Sequence, residues 1–373
     1  MMMGGCRSYY NPRQFGSCTI KRCRSCLDRA APPRFRCSSR RFLGFKLSGS
    51  NASSVASSDD DLARLSFIND DASQPPLFSE CFSPAENGAD LPSERVSVAG
   101  GIVALGKFDA LHIGHRELAI QAAKIGVPYL MSFVGMGEVL GWEPRAPIVA
   151  RSDRKRVLSS WAPFCGNVTP KEVEVEFSQV RYLTPQQFAE RLAVDLGVCG
   201  VVAGENYRFG YRAAGDSSDL VRLCDEYGMK ACIINTVMDK HQHSTDMGSS
   251  SSQERGQVSS TRVRHALANG DMSYVSELLG RHHRLMLMVR NKEDIFSDRK
   301  RLSIKCRPCL LNLSPKEGLY ENCSLVVGDK NVVACRVTID STYIHLELDE
   351  VAPHINTSAQ NLLLGIDFGE SKL

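Results

Sequence analysis

The chain has 373 residues, 43% hydrophobic and 23% charged, enough to bury one large or two medium cores. Its net charge of +3 conceals an asymmetry: residues 1–50 hold eleven Lys/Arg and one acid, Asp28, which leaves the rest of the chain at −7. A mildly acidic body implies no basic nucleic-acid face, and no apolar run approaches the ~20 residues that span a bilayer.

The first 50 residues are rich in Arg, Ser and Cys and lack the continuous apolar centre of a secretory signal. That composition predicts an organellar transit peptide, and its serine content favours a plastid. Residues 51–95 read as a polar linker without sustained periodicity. From residue 96 to 280 strand-like and helix-like runs alternate. Val96–Leu105 is an expected strand, His115–Lys124 a helix, Pro128–Val134 a strand and Arg154–Trp161 a helix. Val173–Phe177 follows as a strand, Gln186–Leu196 as a helix and Gly200–Ala203 as a buried strand. Leu220–Tyr227 is a helix, Lys230–Asn235 a strand and Thr261–Asn269 a helix. Such alternation implies an α/β domain, a parallel sheet with helices on both faces, whose ligands bind beyond the carboxyl ends of the strands.

Met238–Gln257 interrupts the pattern with a Ser-rich polar insertion too poor in apolar residues to order itself. Its His241 and His243 read as solvated side chains. Beyond Gly280 the texture changes. Leu285–Val289, Leu302–Lys305, Ser324–Val327, Val332–Ile339 and Thr342–Leu348 are short and strand-like with no good helix between them, which predicts a small β-rich domain over 281–373. Five of the fourteen cysteines fall in the basic N-terminal segment and the other nine are scattered, mostly in apolar runs such as Val198–Val201 and Ala231–Ile233. Cys306 and Cys309 form a C-x-x-C, but no second ligand pair follows at zinc spacing, so buried reduced thiols are expected and no metal site is assigned.

Three segments carry the chemistry. "GKFDALHIGH" (Gly106–His115) lies between the first strand and its helix. Gly106 and Gly114 let backbone approach a ligand, and the helix N-terminus offers unpaired N–H groups and partial positive charge to an anion. His112 and His115 add two donors. "GENYRFG" (Gly204–Gly210) follows the buried strand, and "SSTRVR" (Ser259–Arg264) opens the last α/β helix, where a serine can cap the helix and Arg264 can bind phosphate oxygens. All three fall on one edge of one sheet.

H-x-G-H after a first strand, with S-S-T-x-x-R opening a late helix, resembles the HIGH-type nucleotidyltransferases. Together with G-E-N-Y-R-F-G the set resembles the prokaryotic-type FAD synthetases over residues 98–282, through "LLGR" (Leu278–Arg281), and plants carry plastid proteins of this type. The resemblance implies a Rossmann-like adenylyltransferase domain that joins FMN and ATP into FAD and pyrophosphate, with Mg²⁺ accompanying ATP. It places His112 and His115 on the ATP phosphates, with Gly106, Lys107, Phe108, Asp109 and Gly114 lining the turn beside the nucleotide. It places Asn206 at the reacting phosphates, Phe209 near the flavin, and Ser260, Thr261 and Arg264 in a late phosphate clamp. The chain departs from bacterial relatives at "FVGMGEVLGW" (Phe133–Trp142), where they often carry a proline-containing turn.

Many bacterial relatives continue into a riboflavin kinase barrel marked by a P-T-A-N-like motif after the "LLGR" junction. Neither that motif nor a phosphate-cradling glycine occurs between Gly280 and Gly318. The resemblance therefore implies a degenerate kinase barrel, with "LSPKEGLY" (Leu313–Tyr320) as its residue. Two rivals remain: another HIGH-type transferase acting on nicotinamide mononucleotide or phosphopantetheine, and a non-catalytic flavin-nucleotide-binding regulator.

Overall fold

The computed structural model describes residues 82–84, 97–240, 256–298, 300–328, 331–350 and 361–369. The expected transit peptide and the histidines of the Ser-rich insertion lie outside the described residues.

The first sheet begins with an edge strand, β1 (Phe82–Pro84). The central strand β2 (Ile102–Leu105) is a four-residue apolar run buried on both faces, as an inner parallel strand requires. It leads into α1 (Ile113–Ile125), β3 (Pro128–Val134), α2 (Met136–Leu140) and α3 (Arg151–Ser160). Next come β4 (Lys171–Glu176), α4 (Phe177–Val180), α5 (Pro185–Glu190, running into a π turn at Arg191–Asp195) and β5 (Gly200–Gly204). The half closes with α6 (Ser217–Glu226), β6 (Lys230–Ile234), α7 (Ser260–Asn269) and α8 (Met272–Leu279).

The strand order is β1-β4-β3-β2-β5-β6, with β2 to β6 parallel and β1 antiparallel to β4. The chain therefore winds outward one way from β2 to β4, then returns to the other side of β2 for β5 and β6. The reversal opens a crevice beyond the carboxyl ends of β2 and β5. Alternate side chains of one strand serve opposite cores. Ile102 and Ala104 pack towards α1, α3, α7 and α8, whereas Val103 and Leu105 pack towards α5 and α6.

The second sheet is wholly antiparallel. It contains β7 (His283–Val289), β8 (Ile295–Asp298), β9 (Arg301–Lys305), β10 (Gly318–Val327), β11 (Asn331–Ile339), β12 (Tyr343–Leu348) and β13 (Leu362–Phe368), with a one-turn helix, α9 (Cys306–Cys309), after β9. The order β7-β13-β10-β11-β12-β9-β8 curls until the segment after α9 reaches β7, where Leu287 bridges Leu310 and the Leu311 N–H donates to the Met286 carbonyl. The concave side is filled by Leu285, Leu302, Leu325, Val337, Leu346 and Ile366, which join the core beneath α7 and α8.

The structure corrects the sequence reading at several points. Part of the expected linker, Phe82–Pro84, pairs with Val173–Val175. The first strand starts at Ile102, because Gly100 takes a left-handed turn (φ 76°) ahead of it. The insertion has an ordered base, with Met238 bridging Gln257 and the Asp239 N–H bonded to the Gly256 carbonyl. The expectation of no helix in the β-rich region misses the turn at Cys306–Cys309, and β8, β13 and α8 were not anticipated. Seven of the eight described cysteines are buried thiols, but Cys199 is exposed. Among the described residues no helix is long and apolar enough to cross a membrane.

Candidate active site

The site is assembled from the turn between β2 and α1. Phe108, Ala110 and Leu111 are buried and anchor the turn from below. Leu111 is held at φ 48°, a left-handed conformation that a γ-branched side chain enters only under constraint. That twist delivers His112 as the N-cap of α1, its Nδ1 accepting the His115 N–H at 3.3 Å. An accepting Nδ1 puts the proton of the neutral ring on Nε2. Gly114 leaves room for this ring, since a Cβ would lie 3.2 Å from it and push it by a few tenths of an ångström.

The two imidazoles stack with centroids 3.7 Å apart and planes 18° from parallel, and Phe108 meets His115 edge-on at 4.9 Å. Both histidines are more than nine-tenths buried. Burial, followed by the positive charge of Arg281, lowers His112 to about 4 despite the opposing pull of Asp109. Burial also holds His115 well below its usual value, with His112, Arg154 and Arg281 adding to the effect. At neutral pH both rings are uncharged. The Nδ1 of His115 has no hydrogen-bond partner, an orphan that ordinary packing avoids and binding sites retain.

His112, Gly114 and His115 form one wall of a cleft of about 170 Å³. Across it stand Asn206 and Tyr207, from the turn after β5, and Thr236, from the segment after β6. Glu205 ties the two loops together by accepting from the N–H and hydroxyl of Thr236 at 2.9 and 2.5 Å. The cleft lies in the crevice opened by the strand reversal. Of the residues singled out from sequence, the structure brings His112, Gly114, His115 and Asn206 together around it.

The remainder take other positions. Asp109 accepts from the Ile148 N–H at 3.1 Å and pairs with Arg264 at 2.7 Å, so the first and last motifs are joined by an ion pair. Ser259 is the cap of α7, accepting from the Arg262 N–H, with Ser260 and Thr261 in the first turn. Lys107 is exposed and lies over the Trp142 ring, 4.7 Å from its centroid. Gly106 packs against the Phe108 ring. Phe108 and Phe209 are 2% and 5% exposed and belong to the two cores. Phe209 sits against Phe188 and parallel to Tyr207, so it braces the cleft from behind.

Two arginines escaped the sequence reading. Arg154 donates to the Phe108 carbonyl at 2.7 Å while its guanidinium is gripped by Glu172. Arg281, noticed only as the end of "LLGR", donates to the carbonyls of Leu111 and Ala110 at 2.6 and 3.0 Å. The Asn235–Val237 wall was also missed, although its place directly after a strand on the motif-bearing edge could have marked it.

The buried histidines imply an acid limit to stability. His112 and His283 are both lowered to about 4, chiefly by burial, against about 6.5 in an unfolded chain. Between those values the unfolded chain binds more protons than the folded one. Stability is therefore complete above about pH 6.5 and is lost as the pH falls towards 4. Glu174, raised by burial, works in the opposite direction, but as one carboxyl against three depressed histidines. The melting temperature is expected to be level between about pH 7 and 8 and to fall steadily from pH 6.5 to 4.5. A rise on acidification across that window would contradict the assignment.

Residues 95–251 match the FAD synthetase family, and residues 282–371 match the FAD synthetase 1/2 C-terminal domain. The chain is 60% identical over 294 residues to FAD synthetase 1, chloroplastic, of Arabidopsis thaliana, covering 78% of this chain and 82% of that protein. FAD synthetase 2, chloroplastic, of the same plant is 60% identical over 296 residues, covering 79% and 80%. A bifunctional riboflavin kinase/FMN adenylyltransferase of Listeria monocytogenes is 28% identical over 187 residues, 48% of this chain and 53% of that protein. Among solved structures, one titled a macrolide-efflux protein from Streptococcus pneumoniae superposes with a TM-score of 0.56 at 20% identity, over 75% of this chain and 85% of that one, a likeness of fold.

Proposed function

The chain belongs to the FAD synthetase family and is an FMN adenylyltransferase; we propose that it works in the plastid, without riboflavin kinase activity, through the cleft between His112, His115 and Asn206. The observation that carries the site is the meeting of those three residues, from two segments far apart in sequence, at the reversal of strand order.

In the proposed reaction an oxygen of the FMN phosphate attacks the α-phosphorus of ATP, the bond to the bridging oxygen of the β-phosphate breaks, and pyrophosphate departs with that electron pair. The nucleophile is already anionic at neutral pH, so no general base is needed. What the protein must supply is alignment of two anions and stabilisation of the charge that collects on the leaving group. Neutral imidazoles suit this task. The Nε2–H of His112 donates to a phosphate oxygen, and the approaching negative charge itself favours proton uptake by the rings as charge develops. The N-terminus of α1 adds its free N–H groups, and Asn206 donates from the opposite wall. Arg264 is held by Asp109 and reaches a phosphate by exchanging that partner. In this reading Mg²⁺ accompanies ATP as part of the substrate, bound to the triphosphate.

Two features support the absence of kinase activity. The chain has no P-T-A-N motif and no glycine from residue 281 to 317, and the curled sheet fills its concave side with aliphatic side chains. Riboflavin presents a neutral hydroxyl, so its phosphorylation needs an activated nucleophile and a cradle for the γ-phosphate. One assay tests the reading. Purified protein with Mg·ATP is expected to convert FMN to FAD and to make no FMN from riboflavin. Turnover of nicotinamide mononucleotide or phosphopantetheine in place of FMN would overturn the substrate assignment. Riboflavin phosphorylation at a rate comparable with FAD synthesis would overturn the kinase-free reading.

Location in the plastid is supported by the chloroplastic names of the Arabidopsis relatives and by the basic, Ser-rich composition of residues 1–50. A fluorescent fusion of the full chain is expected in plastids, and one lacking residues 1–50 in the cytosol. Cytosolic residence of both would refute the transit peptide.

A further inference from the structure

We propose that Arg281 is a positioning residue for adenylyl transfer, its guanidinium fixing the turn that aims His112 and His115 into the cleft. The proposal rests on the placement of those histidines at the phosphates and adds what holds them there.

Four observations carry it. Arg281 is separated from the turn by 170 residues of sequence, yet its guanidinium donates to the carbonyls of Ala110 and Leu111, and to Leu279 at 3.2 Å. Those two carbonyls flank the one strained residue of the turn, Leu111 at φ 48°, which directly precedes His112. A left-handed leucine persists only where its surroundings over-determine it, and a forked donor gripping both neighbouring carbonyls does so. The approach is close: at Gly280, whose own φ is 66°, a Cβ would lie 2.7 Å from Ile113 at the start of α1. Arg281 also joins the two halves of the protein, since it leads directly into β7.

The charges around the turn give Arg281 a second effect on the same rings. Asp109 and Arg281 act on His112, and His112, Arg154 and Arg281 act on His115. Arg281 itself faces Asp153 and the guanidinium groups of Arg116, Arg154 and Arg156. Burial lowers it to about 9, so it stays charged at neutral pH. Burial is the main reason the imidazoles are neutral; a cation at this point adds to that effect, while its hydrogen bonds hold the rings in place.

Two variants separate these effects. Arg281→Lys keeps the charge but cannot fork across two carbonyls. Its kcat for FAD synthesis is expected to fall about 10- to 100-fold, the scale for a reacting group displaced by about 1 Å, with the KM for FMN little changed. The His112 titration, read from ¹³C-labelled histidine, should stay near 4. Arg281→Met removes both effects. Its kcat should fall at least as far, and the His112 titration should rise above 4 while staying below the free value, because burial remains. Folded Arg281→Lys protein with kcat within threefold of wild type would overturn the proposal. So would loss of cooperative melting in Arg281→Lys, which would make the residue a requirement of folding alone. Should Arg281→Met fail to fold, Arg281→Lys decides. The underlying placement of the histidines fails differently: His112→Ala and His115→Ala would then keep near-normal turnover whatever Arg281 does.

Discussion

Replacing His112 or His115 with alanine is expected to lower FAD synthesis by about 10²-fold or more, the scale of losing one preorganised donor at a site of developing charge. The stacked pair acts on the same few ångströms of phosphate, so the double variant should lose less than the product of the single losses. The two positions differ in their cost to the fold. His112 also caps α1, and its loss removes about 1 kcal/mol of helix stability. His112→Asn restores a capping oxygen without restoring the Nε2 donor, and should recover the melting temperature while leaving turnover low. His115 has no partner at Nδ1 to lose, so His115→Ala removes ring packing against Phe108 and little hydrogen bonding. Steady-state rates with FMN and ATP, read beside thermal melts, check both. Near-normal turnover in both single variants would remove the histidines from the phosphate site.

The α/β half and its motifs were legible because hydrophobic period separates strand from helix, and because ligands of parallel sheets gather beyond the strands' carboxyl ends. Several short features were not legible. β1 hides in a polar stretch, and β8 is four residues with three exposed. The glycine at 365 blurs β13. Only Gly270 and Asp271 separate α8 from α7, so two helices read as one helix and a junction. At the site, the meeting of His112 with Asn206 follows from sheet logic, but the cap position of His112 does not, because the spacing starts the helix at His115 whereas α1 begins at Ile113. The pairing of Asp109 with Arg264 spans 155 residues, and the grip of Arg281 on Leu111 spans 170. No local pattern encodes either. The same holds for the two aromatics of the motifs. Phe108 and Phe209 stand beside candidate site residues in sequence, yet the fold turns both rings inward, where they support His115 and Tyr207.

The β-rich half offers a sharper test of how the two sheets depend on each other. Asn312→Ala is expected to lower stability by about 3 kcal/mol and the melting temperature by about 5 °C. Asn312 is 2% exposed and makes three hydrogen bonds from one side chain. Its Oδ1 accepts from the Met286 N–H at 2.8 Å, and its Nδ2 donates to the carbonyls of Ile148 and Arg284, each at 2.9 Å. Alanine leaves three main-chain groups without partners in a site with little access to water, and an orphaned group costs more than its hydrogen bond contributed. One of these bonds crosses between the halves. Ile148 in turn donates to Asp109, and Asp109 holds Arg264, so a continuous chain of polar contacts runs from the antiparallel sheet to the last phosphate motif. Asn312→Ala should therefore also reduce FAD synthesis well below its melting temperature, although no motif residue has changed. The wild-type protein should melt in a single transition by near- and far-ultraviolet dichroism, because the core beneath α7 and α8 is shared by both sheets. Asn312→Leu, which fills the volume without bonding, should melt no higher than Asn312→Ala. A variant melting within about 2 °C of wild type would show that the interface is held by its aliphatic contacts alone.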